Sequence, residues 1–344
     1  MSLTKPFLSI IVPCYNSRKY LPKLLQSVVD CNMQDIEVIL ADDCSEQTYQ
    51  DIIDKFSDNL TILECKTDHN CGSPSNGREF GAQIATGQYL TFIDHDDALI
   101  PEGIKQVREF IESNDYPEYI VTGIQQVDLD GNVELEKYGI LPFLHGKFFN
   151  VEKFYRKCDL HHKKDILYSE DNYFTALIAC NLIKYELAPT FTDFCTYRWT
   201  SNPASLSRHL IAEKKENKEL NLRIFNTNLS ITYEVMFKFF DEGSLPYPVA
   251  AEWLIREVLS MYFDSQLYFN FFEDYKPKLA KLLADVKSKL DLTNEEIMDY
   301  AFADDGRMFR DELNNMLQFW PQDEWEVHLR IEQFLEILTE EAEQ

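Results

Sequence analysis

Glycine, positive charge and long apolar runs are all scarce in this chain, and each scarcity closes off a class of function. Only 11 of 344 residues are glycine, and neither GxGxxG nor GxxxxGK[ST] occurs, so the backbone cradles that hold dinucleotides and nucleoside triphosphates are missing. Lysine and arginine number 33 against 59 aspartates and glutamates, a net charge of −26. Such a surface repels nucleic-acid backbones and anionic lipid headgroups. No apolar stretch reaches the length that spans a bilayer, and no charged-then-apolar signal opens the chain. The expectation is a cytoplasmic protein with no transmembrane segment and no nucleic-acid partner. The eight cysteines contain no CxxC pair and no metal-ligand spacing, which points to reduced, mostly buried thiols rather than zinc ligands or disulfides.

What is present builds a core. Hydrophobic residues make up 45% and aromatic ones 13% of the chain, enough for one large core or two modest ones. Over the first 125 residues, short apolar runs alternate with helical periodicity. "FLSIIV" (7–12), "IEVIL" (36–40), "LTIL" (60–63), "QYLTFI" (88–93) and "EYIVTGI" (118–124) read as strands. Between them, Leu21 to Val29, Glu46 to Phe56, Ser75 to Ala85 and the segment opened by Pro101 read as helices. This alternation predicts an α/β fold with a mostly parallel, doubly wound sheet and helices on both faces. After residue 210 the pattern turns helical, as in 250–269 and 324–341. The expected division is a domain over 1–210, its nucleotide side at 1–100 and its acceptor side at 101–210, followed by an all-α region at 211–344. The helical region is expected to pack on the first domain or to form a homodimer.

In doubly wound sheets ligands sit beyond the carboxyl ends of the strands. Three polar clusters fall there: "PCYNS" (13–17), "ADDCS" (41–45) and "DHDD" (94–97). The last sets Asp94, Asp96 and Asp97 against the end of an apolar strand, where like charges raise one another's pKa unless a cation or water offsets the cost. A solvated turn explains one such cluster; three converging clusters favour a site. A divalent ion, Mn²⁺ or Mg²⁺, held by Asp94 and Asp96 on one side of an extended segment would let an acidic protein hold a diphosphate. Farther on, "QQVDLDGNVELE" (125–136) carries a hairpin signal at Asp130-Gly131. Glu170 and Asp171 precede an apolar helix, where one of them would serve as its cap.

Five blocks, "LSIIVPCYNSRKYLPKLLQSV", "EVILADDCS", "NCGSPSNGREFGAQIATGQYLTFIDHDDAL", "LYSEDNYF" and "YRWTSNPASLS", appear in order over about residues 7–207. Together they resemble the family-2 glycosyltransferases with the GT-A fold. The resemblance implies an inverting enzyme that moves a sugar from a nucleotide diphosphate donor, UDP being the commonest, to a glycan or lipid-linked acceptor in surface polysaccharide synthesis. It places the nucleoside at Pro13, Tyr15 and Asn16, gives Asp43 to the base and leaves Asp42 to hold its loop. Arg78 falls on the family's arginine facing the donor phosphates, with a salt bridge to a carboxylate as the competing role. Glu79 stands where many relatives carry Asn. His145 is placed for diphosphate or metal contact, against simple packing. Asp97 is placed toward a sugar hydroxyl or ligating water, and Arg198, Ser205 and Ser207 toward phosphate. Asp171 is assigned as the base that takes the acceptor proton, with Glu170 beside it. Trp199 either stacks on a sugar ring or packs in the core. Two other readings compete: a phosphotransferase of the haloacid dehalogenase type, which normally carries its DxD on the first strand, and a non-catalytic nucleotide-sugar binder on the same fold.

Overall fold

The computed structural model describes residues 5–139, 143–164, 166, 170–202, 218–267, 272–302 and 324–342. Contacts divide the chain into two compact units, residues 1–205 and 206–344.

The first unit is organised by a nine-stranded sheet. Its strands are β1 (Leu8–Cys14), β2 (Ile36–Asp42), β3 (Thr61–Lys66), β4 (Tyr89–Phe92), β5 (Ala98–Leu99), β6 (Tyr119–Val127), β7 (Val133–Lys137), β8 (Lys147–Asn150) and β9 (Thr190–Thr200). They lie in the order β3-β2-β1-β4-β8-β6-β9-β5, with β7 paired to β6. β3, β2, β1 and β4 run parallel, as the alternation predicts. Beyond β4 the sheet is mixed: β8 is antiparallel to both β4 and β6, β9 is parallel to β6, and β5 is antiparallel to β9. The central strands β1 and β2 are buried along their whole length, which is why they read as unbroken apolar runs, whereas the edge strand β3 is largely exposed.

The helices are α1 (Leu21–Val29), α2 (Gln50–Phe56), α3 (Pro74–Ile84), α4 (Pro101–Ser113) and α5 (Glu170–Lys184). α2 starts four residues later than its periodicity predicts. Residues 45 and 46 are taken by loop contacts instead: the Ser45 N–H donates to Asp42 Oδ1 at 3.0 Å and the Glu46 N–H to Asn16 Oδ1 at 3.1 Å. Two glycines draw α3 onto the sheet. A Cβ on Gly81 would lie 2.5 Å from Ile11 Cγ2, and one on Gly77 would lie 3.2 Å from the Ala41 carbonyl. The hairpin between β6 and β7 turns where Asp130-Gly131 predicts. Asp128 Oδ1 accepts the Asp130 and Asn132 N–H groups at 3.0 and 2.8 Å, and Gly131 has φ +86°.

The second unit is helical among its described residues: α6 (Lys218–Ser230), α7 (Phe237–Asp241), α8 (Tyr247–Leu267), α9 (Phe272–Leu290), α10 (Asn294–Phe302) and α11 (Glu324–Ala342). Leu254, Val258, Leu279, Leu283, Val286, Phe334, Leu335 and Leu338 are buried in its core. No helix among the described residues is long and apolar enough to cross a membrane.

Candidate active site

The parallel half of the sheet delivers its loops to one edge. β4 ends at Phe92, and residues 94–97 then turn rather than extend, with the Asp97 N–H donating to the Asp94 carbonyl at 3.1 Å. That turn alters the expected pairing of acids. Period-two alternation, which would set Asp94 beside Asp96, holds only in extended backbone. Here the acid brought close to Asp94 is Asp97, and His145 joins them: one ligand atom from each of the three lies within 4.8 Å of the others. Asp96 accepts a hydrogen bond from Asn202 Nδ2 at 3.1 Å.

Arg78 is the centre of the constellation. The close approach of α3 buries it to 3% exposure, and its guanidinium spans three carboxylates: Nη2 donates to Asp94 Oδ1 at 2.8 Å, while Nη1 donates to Glu170 Oε1 at 3.1 Å and Asp171 Oδ1 at 2.9 Å. Burial alone would lower the arginine pKa, but Asp171, Asp94 and Glu170 together raise it. Glu170 and Asp171 occupy the first turn of α5, where the helix dipole favours negative charge. Residue 169, which precedes the helix, lies outside the described residues. Burial and the adjacent Asp171 push the Glu170 carboxyl up to about 7 against the pull of Arg78.

The acids beyond β4 titrate in opposite directions. Burial would raise Asp94, yet Arg78 and His145 hold its carboxyl far below the usual carboxylate range. Asp97 goes the other way: burial, with Asp94 and Asp96 close by, pushes it to about 7, although His145 and the Thr200 N–H oppose the shift. Asp97 Oδ2 accepts from the Tyr197 hydroxyl at 2.6 Å and Oδ1 accepts from the Thr200 N–H at 2.7 Å. His145 Nε2 sits 3.4 Å from Asp94 Oδ2, and its Nδ1 is buried without a partner among the described residues. Asp94 outweighs burial and raises the imidazole pKa. Hard carboxylate oxygens with one imidazole nitrogen suit a divalent ion such as Mn²⁺ or Mg²⁺, and the orphaned ring nitrogen marks a site short of polar partners.

The residues expected to hold the nucleoside form a second group beyond β1 and β2. Asp42 holds the loop: Ser45 donates to it through its N–H and hydroxyl, and Lys66 Nζ lies 3.0 Å away. Asp43 is taken up by the next loop, accepting the Cys71 and Gly72 N–H groups at 2.9 Å and the Thr67 hydroxyl at 3.1 Å. Asn16, at φ 49°, donates its N–H to Ser45 Oγ at 2.9 Å. Tyr15 is 45% exposed at this rim. His95 ties the two groups together, its Nδ1 3.3 Å from the Pro13 carbonyl.

Arg198 stands apart from both groups. It alternates with Tyr197 along β9, so it lies on the other face of the strand, exposed, with Nε 3.4 Å from Gln125 Oε1. Ser205 and Ser207 lie outside the described residues. Three buried groups escaped the sequence reading. Tyr197 fastens Asp97; Lys147 reaches the Phe143 carbonyl and is pulled down to about 8 by burial; His162 stacks on Phe174 at 4.1 Å. Only their positions in apolar strands or loops were visible, and these signal packing.

Residues 9–163 match the family model described as glycosyl transferase family 2. The poly(ribitol-phosphate) beta-N-acetylglucosaminyltransferase TarS of Staphylococcus aureus is 33% identical over 108 residues, 31% of this chain and 19% of that protein. The UDP-Glc:alpha-D-GlcNAc-diphosphoundecaprenol beta-1,3-glucosyltransferase WfaP of Escherichia coli is 30% identical over 126 residues, 34% of this chain and 49% of that one. The match to full-length TarS thus spans about a fifth of that protein's length. The crystal structure of S. aureus TarS 1-349 in complex with UDP-GlcNAc shares the fold, with a TM-score of 0.56 at 18% identity over 88% of each chain. Family match, parallel-edge acids and shared fold agree: through residues 9–163, this chain carries a glycosyl transferase family 2 domain.

Proposed function

We propose that the chain transfers a sugar from a UDP-sugar to an acceptor hydroxyl, with inversion at the anomeric carbon, in the synthesis of a surface polymer. One observation carries the reading: within a family 2 domain, Arg78 joins Asp94, at the carboxyl edge of the parallel strands, to Asp171 at the start of α5. This sets a donor-side acid and a base candidate on one guanidinium. The UDP-GlcNAc complex of TarS supports the donor, and the printed activities of TarS and WfaP, on poly(ribitol-phosphate) and on a diphosphoundecaprenol-linked sugar, support a glycan or lipid-linked acceptor. A cytoplasmic location belongs to the same proposal.

Asp171 takes the proton from the acceptor hydroxyl as the new bond forms on the face opposite the departing diphosphate, the arrangement that inversion requires. Its hydrogen bond to Arg78 holds the carboxylate in place before the acceptor arrives. Arg78 itself, with both terminal nitrogens given to carboxylates, positions the acids rather than binding phosphate. The nucleoside lies along Pro13, Tyr15 and the loops fixed by Asp42 and Asp43. Asp94, His145 and Asp97, with Asp96 at the rim, would hold a divalent ion, which would neutralise charge on the leaving diphosphate.

A thermal-shift screen of nucleotide diphosphate sugars with and without Mn²⁺ tests the reading, because a bound ligand raises apparent stability by mass action. UDP-sugars should raise the melting temperature in Mn²⁺ and lose that effect in chelator or in Asp94→Asn. No shift with any nucleotide sugar, or one indifferent to chelation and to Asp94→Asn, would sink it.

A further inference from the structure

His145 reaches the acid cluster from a short loop that leads into β8 at Lys147. An imidazole stays on Asp94 only if that loop is held, and two ties hold it. Gly146 makes the first. It adopts φ +66°, and a Cβ there would lie 2.9 Å from Thr122 Oγ1 and 3.0 Å from the Thr122 carbonyl oxygen, so the loop runs flush against β6. The Gly146 carbonyl accepts the Thr122 N–H at 2.8 Å and the Thr122 hydroxyl at 3.1 Å. That hydroxyl lies 2.6 Å from Thr196 Oγ1 on β9.

Lys147 makes the second tie. Its backbone is paired with Val121 of β6, and its carbonyl accepts the Thr91 hydroxyl of β4 at 2.7 Å. From this fixed root the side chain turns back four residues, and its ammonium donates to the Phe143 carbonyl at the other end of the loop. Lysine is seldom fully buried, yet this one is 1% exposed. A buried ammonium carries a desolvation cost that a packed methionine would not, so filling space does not account for it. Asp171 offsets part of that cost.

We propose that Lys147 is the positioning residue that holds His145 on the acid cluster, an inference that rests on the divalent-ion reading above. Gly146 fixes the loop after His145 and the Lys147 ammonium fixes it before. The imidazole therefore stands between two anchored peptide groups, with Nε2 3.4 Å from Asp94 Oδ2. Without the ammonium the Phe143 carbonyl loses that donor, the leading half of the loop is released, and the imidazole is free to leave the cluster. Removing a partner that orients a metal ligand typically changes metal affinity by about 10- to 100-fold.

Mn²⁺ binding to the full chain, followed by the electron paramagnetic resonance signal of the free ion, tests this in a double-variant cycle. Lys147→Met keeps the length of the side chain and removes its charge and donor. It should weaken Mn²⁺ binding about tenfold or more, and His145→Ala should weaken it at least as much. The double variant should match His145→Ala within about twofold, because Lys147 acts only through the imidazole. Val107→Ala, a buried change in α4, controls for general loss of stability and should leave Mn²⁺ affinity within about twofold. Unchanged affinity in Lys147→Met overturns the proposal, as do two losses that multiply in the double variant. If Lys147→Met does not fold, Lys147→Gln, which keeps a shorter donor, takes its place in the cycle. Failure of both to fold makes Lys147 a core residue and also overturns the proposal. A wild type that binds no Mn²⁺ overturns the divalent-ion reading and the proposal with it, whereas wild-type binding that is indifferent to Lys147 overturns the proposal alone.

Discussion

Removing the Arg78 guanidinium would leave Asp94, Glu170 and Asp171 facing one another without a counter-charge. Breaking a buried ion pair from one side costs about 3–5 kcal/mol, so Arg78→Ala should unfold at markedly lower temperature and denaturant. Arg78→Lys keeps the charge but cannot span three carboxylates from one planar fork. It should recover much of the stability in a denaturant melt and little of the transfer rate. Equal recovery of both would mean that Arg78 acts only as a charge. Glu170 carries a pH signature of its own. Its folded carboxyl is raised to about 7, so the folded state holds a proton that the unfolded state gives up at lower pH, and stability falls as pH rises from the ordinary glutamate range through about 7. Glu170→Gln removes that loss. The melting-temperature difference, variant minus wild type, should therefore be more positive at pH 8 than at pH 4.5, and a flat difference would remove Glu170 from this role.

At the scale of elements, α4 and β9 meet closely at Gly103. A Cβ on Gly103 would fall 2.1 Å from the Cys195 carbonyl oxygen, which is backbone and cannot swing aside. Alanine gains up to about 1 kcal/mol of helix propensity over glycine, but overpacking costs about 1–3 kcal/mol or more. Gly103→Ala should be net destabilising in a denaturant melt, and a stabilised variant would show that α4 can move. The same elements mark where sequence reading works. The four parallel strands and the helices between them follow from apolar periodicity, and the rule that ligands lie past the strand ends located the clusters at 13–17, 41–45 and 94–97. What could not be read was set by contacts distant in sequence. Asp97 rather than Asp96 approaches Asp94 because the backbone turns, Tyr197 reaches across 100 residues to fix Asp97, and Arg78 is buried because Gly77 and Gly81 let α3 descend on the sheet. Arg198 fails to join the site because strand alternation turns it to the opposite face.

For the molecule as a whole, a net charge of −26 means that a diphosphate donor approaches against the field, so the site itself must supply the compensation. In the proposed reading Arg78 offsets the site's own acids while His145 and a divalent ion would meet the diphosphate, but binding alone does not distinguish an enzyme from a protein that only holds nucleotide sugars. Turnover does, and in the proposed mechanism it hinges on Asp171 at the head of α5. The decisive measurement is UDP release with a competent acceptor by Asp171→Asn and Glu170→Gln, alongside UDP titration of each. With Asp171 as the base, Asp171→Asn should lower transfer by about two to four orders of magnitude, the usual worth of general base catalysis, while UDP affinity stays within about twofold. Undiminished transfer by Asp171→Asn, or a collapse confined to Glu170→Gln, would contradict the account.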